Sequence, residues 1–223
     1  MLEWLGFILS STLRMGTPLA LTALGGTISE RSGVVNIGLE GIMVASSFAA
    51  VVGTYYTGNP WLGVLVAVAV GIIISFIHGV VTISCGGNQS VSSMAIVLLA
   101  TGFSTVGLNA IFHSSGNSYQ VEYLPNTPIL EKIPVVGTYL AQLSPFVYIG
   151  FIALFLVHYM MKYTRLGLRI TTVGENPKAA ETAGINVARI RYVSVILGGI
   201  LGGLGGAYLS IGQMNLFQSS FAL

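Results

Sequence analysis

Aspartate is absent from the 223 residues, and charge of either sign is scarce: seven acidic and nine basic side chains, 7% of the chain. An ordinary soluble domain carries about 25% charged residues. So few charges cannot clothe a water-facing globule, and without Asp there is no aspartate-based metal or phosphoryl chemistry. None of the lysines, Lys132, Lys162 and Lys178, follows a glycine, so the Gly-x-x-x-x-Gly-Lys-Ser/Thr phosphate loop is missing. His78, His113 and His158 stand far apart and form no His-Glu-x-x-His pattern. The pair Gly203 and Gly205 lacks the third glycine of a dinucleotide fingerprint, since position 208 is Tyr208. Cys85 is the single cysteine, which excludes an internal disulfide. A net charge of +2 gives no basic surface for nucleic acid. The chain is therefore read as a non-enzyme that needs no cofactor or metal of its own.

What the sequence does have is apolar length. Hydrophobic residues make up 53% and the mean hydropathy is +0.83, which also excludes disorder. A helix needs about 20 apolar residues to cross the hydrocarbon of a bilayer. Segments 4–28, 33–56, 61–84, 91–112, 145–163 and 191–212 meet that length. Their apolar runs are continuous rather than alternating, which argues against a β-barrel. The expected fold is all-α, a polytopic transmembrane bundle forming one membrane domain over residues 1–223. Met1-Leu-Glu-Trp4 carries no basic n-region and Arg14 interrupts the first apolar run, so this segment is not read as a cleavable signal. Ser29–Gly33, Thr57–Pro60 and Gly86–Gln89 have turn chemistry. The stretch 113–144, with Pro125, Pro128 and Pro134, reads as a structured extramembrane loop with an interfacial part near Ile133–Leu143.

Six of the nine basic residues, Lys162, Arg165, Arg169, Lys178, Arg189 and Arg191, share one window. The Lys/Arg bias of short loops places that window in the cytoplasm, with 164–190 as a cytoplasmic coupling loop. Counting spans back from it puts 113–144 and the N-terminus outside. Within the window, Glu175–Ile185 spells a short helix with Asn176 as N-cap, Pro177 in the first turn and Gly184 as a left-handed stop. Two helical turns are marginal alone in water, so this element is expected to dock on something through Ala179, Ala180 and Ala183. It is either a lever gripped by a cytoplasmic motor or a capped helix packed on its own bundle.

The stretches Glu30-Arg-Ser-Gly-Val-Val-Asn-Ile-Gly-Leu-Glu-Gly41 and Gly174-Glu-Asn-Pro-Lys-Ala-Ala-Glu-Thr-Ala-Gly-Ile-Asn186 resemble the simple-sugar/nucleoside branch of bacterial ABC importer permeases. That branch is related to the ribose and branched-chain amino acid permeases, and the likeness runs over about residues 15–217. It implies a permease subunit in the bacterial plasma membrane that pairs with a second permease subunit, identical or paralogous. Cytoplasmic ATPase subunits binding ATP and Mg would drive it, and an extracytoplasmic binding protein would deliver solute. Members of that branch continue through more spans, which this chain, ending at Leu223, is expected to lack. The resemblance also implies nucleosides ahead of ribose as cargo, and ATPase coupling through Glu175, Asn176, Pro177, Ala179, Ala180, Ala183 and Gly184.

The spans also carry polar residues suited to a pathway. On the second, Asn36, Glu40 and Ser47 fall on one helical face, and Glu40 is the one carboxylate read as lying inside a span. A buried charge there faces a wet cavity or the bundle interior, so Glu40 is read as pathway or gate, or as a structural hydrogen bond. On the fourth, Asn88, Gln89 and Ser90 lead into Thr101, Ser104 and Thr105, whose amides and hydroxyls suit a neutral polar solute or bonds between helices. The last span carries Gly198, Gly199, Gly202, Gly203 and Gly206 as small-residue ridges for close packing, within the chain or across a dimer. Other solutes, such as branched-chain amino acids, stay open, as do an ion-coupled transporter using Glu40 and a membrane scaffold that transports nothing.

Overall fold

Asn59 and Pro60 show how the chain starts a helix at a turn. The Asn59 side chain accepts a hydrogen bond from the Trp61 amide at 2.9 Å, and Pro60 sits at the first helical position, where no amide hydrogen is needed. The same device recurs along the chain. Asn88 accepts from the Ser90 and Val91 amides, Thr164 from Gly167, Asn176 from Ala179 and Asn186 from Arg189. Gly58 and Gly184 close the helices before them with φ of +65° and +78°, a conformation that favours glycine.

The computed structural model describes residues 2–114, 116–122 and 143–219. Among these the helices are α1 (Leu2–Arg31), α2 (Leu39–Thr57), α3 (Pro60–Gly79), α4 (Gln89–Phe112), α5 (Pro145–Tyr163), α6 (Arg165–Glu175), α7 (Pro177–Thr182) and α8 (Val187–Ala207). One π-helical stretch, Val80–Ser84, extends α3, and another, Tyr208–Met214, extends α8. Six of these elements are long and apolar enough to span a membrane, and the described residues are all-α apart from an isolated bridge between Asn117 and Gln218. The expected interfacial stretch near Ile133–Leu143 lies, apart from Leu143, outside the described residues.

Two expectations need correction. The second span does not begin at residue 33. Residues 34–36 are non-helical, and α2 starts at Leu39. The physical reason is Asn36, whose Oδ1 accepts from the Gly38 amide at 3.0 Å; such a side-chain turn competes with the helix for the backbone. The second correction is α6, a separate amphipathic helix where only a loop and one short helix were expected. Its buried Ile170 and Val173 and half-buried Leu166 share one face.

The core is built on α8. Over the 18-residue apolar stretches of the spans containing α2 and α8, 67% of the residues are buried, against 17% to 33% in the other spans. Glycines on three faces of α8 admit three neighbours. A Cβ on Gly198 would meet the Gly25 carbonyl of α1 at 3.0 Å, and one on Gly205 would meet the Pro18 carbonyl at 2.9 Å. Gly199 and Gly203 lie against the Gly71 and Ala67 main chain of α3, and Gly202 and Gly206 against Ile42 and Met43 of α2. At Gly199 and Gly206 a Cβ would collide with main-chain carbonyls of α3 and α2, so only hydrogen fits there, and at Gly198 and Gly203 the approach is nearly as tight. The ridges thus pack within the chain, which is how helices associate where lipid removes the hydrophobic drive. The outward faces of α3 and α4 expose Leu65, Ile73, Leu98, Leu99 and Phe103, surface that suits hydrocarbon and not water.

Gly199→Ala overpacks the α3–α8 contact and is expected to destabilise the protein by about 1–3 kcal/mol. Gly102→Ala, at an α4 position with nothing within 4 Å, should be neutral or stabilising by up to about 1 kcal/mol. Thermal unfolding in detergent distinguishes them; equal effects would contradict the close approach.

Candidate functional site

The site centres on the turn between α1 and α2, which three other helices hold. Ser29 starts it: its hydroxyl donates to the Val34 carbonyl at 2.7 Å, and Ser32 donates to the Ser29 carbonyl at 2.6 Å. Gly33 then takes a φ of +82° and turns the chain. From α8, Arg191 Nε donates to the Ser32 carbonyl at 3.3 Å. From α6, Gly174 abuts the Arg31 carbonyl so closely that a Cβ there has no room. From α4, Gln89 Oε1 accepts from the Val35 amide at 2.8 Å and its Nε2 donates to the Gly33 carbonyl at 3.3 Å. Beyond Asn36, Gly38 packs on the Ser93 main chain. Next to Ser93, the Ser92 hydroxyl is 3.0 Å from Nδ1 of the fully buried His78 of α3.

The short α7 is part of the same assembly. Its Ala180 is fully buried in a cluster with Val173 of α6 and Val187 of α8, flanked by Ile185 and Ile190. Ala179, Lys178, Glu181 and Ala183 are exposed, as are Glu175 and Gly184. This corrects the expectation for Ala180, which faces its own bundle and is not available to a partner. Of the two readings of this helix, the contacts match the one packed on its own bundle: Asn176 caps it, Gly184 stops it and Ala180 docks it inside the chain. Exposed Ala179 and Ala183 remain free for an outside surface. A displacement of α7 would pass through Val187 into α8, and through α6 and Gly174 into the 31–38 turn and on to α4.

The polar residues read as a pathway are not brought together. Asn36 is buried in the turn, off the helix that carries Glu40 and Ser47. Glu40 is exposed in the first turn of α2, where the helix dipole favours an acid, and not deep in a span. Ser47 is buried and its hydroxyl has no partner among the described residues. Asn88 is spent on capping α4, Gln89 on the turn, and Ser90 is exposed. The half-buried Thr101 and Thr105 donate to the Val97 and Thr101 carbonyls of their own helix, and Ser104 is buried. A cavity of about 500 Å³ opens between α2, α3 and α4, but it is lined by apolar groups such as Phe48, Ile74, Ile96 and Phe103 and by none of these residues. It offers nothing to a polar solute.

Sequence reasoning missed Arg191, Gly174 and His78 as members of this assembly. Arg191 counted only as topogenic charge, and nothing local tells that it reaches across to residue 32. The spacing of Leu166, Ile170 and Val173 was the one signal that could have revealed α6.

Replacing Gln89 with Leu removes both bonds to the turn and is expected to cost about 1 kcal/mol. Gln89→Glu keeps the acceptor for the Val35 amide and should lose less. Chemical unfolding in detergent measures both; a Gln89→Leu protein as stable as the parent would show that the stitch contributes nothing.

Comparison with known proteins places this arrangement. Residues 8–221 match the family model described as branched-chain amino acid transport system / permease component. The nucleoside ABC transporter permease protein NupC of Lactococcus lactis is 38% identical over 91% of the chain and 67% of its own length. The guanosine ABC transporter permease protein NupQ of Bacillus subtilis is 41% identical over 98% of the chain and 72% of its own length. The putative glucose ABC transporter permease protein TsgC13 of Haloferax volcanii is 36% identical over 94% of the chain and 64% of its own length. No solved structure matches. The chain belongs to the branched-chain amino acid transport system / permease component family and is a multi-pass transport component rather than an enzyme.

Proposed function

We propose that the chain is a membrane-spanning permease subunit of an ATP-driven importer for nucleosides, with simple sugars as the second class of cargo. The observation that carries the reading is the identity of 38% and 41%, over most of the chain, to permeases named for nucleosides and guanosine. The sugar reading draws on the 36% identity to a permease named for glucose. ATP and Mg belong to partner ATPase subunits, a second permease subunit completes the membrane assembly, and an extracytoplasmic binding protein presents the solute. The membrane is the bacterial plasma membrane, with the basic window from Lys162 to Arg191 facing the cytoplasm.

The geometry supports a division of labour within the chain. The exposed face of α7, with Ala179 and Ala183, takes the push of the ATPase. The buried Ala180 and the Gly174 contact pass it inward, to α8 and to the turn at 31–38. Glu40, exposed at a helix start, is not placed as an ion-coupling group, so the secondary-transporter alternative loses its motivating observation. The apolar cavity between α2, α3 and α4 contains no group that would recognise a ribose or a base, so solute recognition is assigned to the partner binding protein and to surfaces completed by the second permease subunit.

The test is uptake of radiolabelled guanosine by the assembled importer in vesicles. Uptake is expected to stop when the partner ATPase is catalytically inactivated. It should also fall sharply with Ala183→Trp, which enlarges the exposed face of α7 without entering the core. Uptake that persists with an inactive ATPase would overturn the ATP-driven reading. Uptake of simple sugars with none of guanosine would replace the first cargo with the second.

A further inference from the structure

At the basic end of the bundle a cleft of about 380 Å³ opens between α1, α5 and α6. Its mouth is basic: Arg31 from the last turn of α1, and Lys162 and His158 from the end of α5. All three side chains are exposed, and no carboxylate is among the lining residues. The Lys162 ammonium lies 5.7 Å from the centre of the Tyr163 ring. Neither Lys162 nor Arg31 has an acidic partner among the described residues. Two hydroxyls line the cleft as well, but their protons are committed: Thr27 donates to the Ala23 carbonyl at 2.8 Å and Thr171 to the Gly167 carbonyl at 3.1 Å. The attraction for an anion therefore comes from the cationic side chains and the imidazole.

Below the mouth the lining changes character. Leu24, Leu154, Val157 and Met161 line the rest of the cleft. Leu24 lies two turns before Arg31 and Leu154 more than two before Lys162, so the apolar shaft runs about 10 Å into the membrane. A basic rim over an apolar shaft, walled by the spanning helices α1 and α5 and by α6, matches a molecule with a phosphate at one end and hydrocarbon at the other. Free phosphate would use only the rim and a neutral lipid only the shaft. Basic clefts between spanning helices at one leaflet are where anionic headgroups are held.

We propose that this cleft binds an anionic glycerophospholipid of the leaflet at the basic end, its phosphate between Arg31 and Lys162 and the first carbons of one acyl chain along Leu24 and Leu154. The site touches the assembly described above. Arg31 is also the residue whose carbonyl abuts Gly174, so a lipid seated here steadies the junction of α1, α5 and α6 through which α7 reaches the turn. The proposal rests on this cleft alone and is independent of what the chain transports.

Native mass spectrometry of the purified chain in detergent, offered phosphatidylglycerol or phosphatidylcholine with identical acyl chains, tests it. The chain is expected to retain phosphatidylglycerol in preference. Arg31→Gln with Lys162→Gln should weaken that retention by about 30-fold, from two surface charges acting on one phosphate. Arg31→Lys with Lys162→Arg should retain it and so serves as the folding control. Arg165→Gln with Arg169→Gln, which removes the same charge from α6 positions that do not line the cleft, should leave retention unchanged. Equal retention of the two lipids would overturn the proposal. So would undiminished binding by the Gln variant, a loss as large in the Arg165/Arg169 variant, or displacement of phosphatidylglycerol by millimolar inorganic phosphate.

Discussion

Everything in this bundle depends on how closely α8 lets its neighbours approach. Three helices reach its backbone at once because the faces turned toward α1, α2 and α3 are glycine where they cross. Hydrocarbon provides no hydrophobic drive between helices, so dispersion contacts made at backbone distance must do the joining. A methyl group on any of these faces would push one neighbour out and, through the shared helix, shift the other two. Glycine is poor in a water-exposed helix, and here that cost is offset by contacts no larger residue could make.

This hub gives the short α7 something rigid to act on. Ala180 seats against Val187 at the start of α8 and Val173 on α6, so α7 is not a free appendage. The turn at 31–38 is clamped by Arg191 from α8, Gly174 from α6 and Gln89 from α4. Three helices that end or begin at the basic end therefore share a single turn. A protein that converts work done on one side into a rearrangement of spans needs such a junction, stiff within itself and tied to several helices by a few polar bonds.

Much of this was legible from the residues. The spans could be counted because hydrocarbon demands about 20 apolar residues at a stretch, and most boundaries fell at caps whose chemistry is local: Asn59-Pro60, Asn88, Asn176-Pro177 and Gly184. The start of α2 was not, because an apolar run through Val34, Val35 and Ile37 looks helical until Asn36 is seen bonding to the Gly38 amide. The exposure of Glu40 and the surroundings of Ala180 were not legible for a related reason. Helical spacing says which residues share a face, not what the face meets, and at the end of a span one turn decides between buried and exposed. Contacts between residues far apart in the chain, such as Arg191 with Ser32 or His78 with Ser92, leave no mark in local pattern.

The glycine faces of α8 are occupied by helices of the same chain, and cross-linking asks this directly. Beside the glycine contacts with α3, the Ser84 hydroxyl on the extension of α3 lies 2.6 Å from that of Tyr192 on α8. In a Cys85→Ser background, Ser84→Cys with Tyr192→Cys should be joined within one chain by a short bifunctional thiol reagent, seen as a monomer of altered gel mobility. Exclusive formation of covalent dimers would mean that these glycines face a second subunit, and would contradict the account.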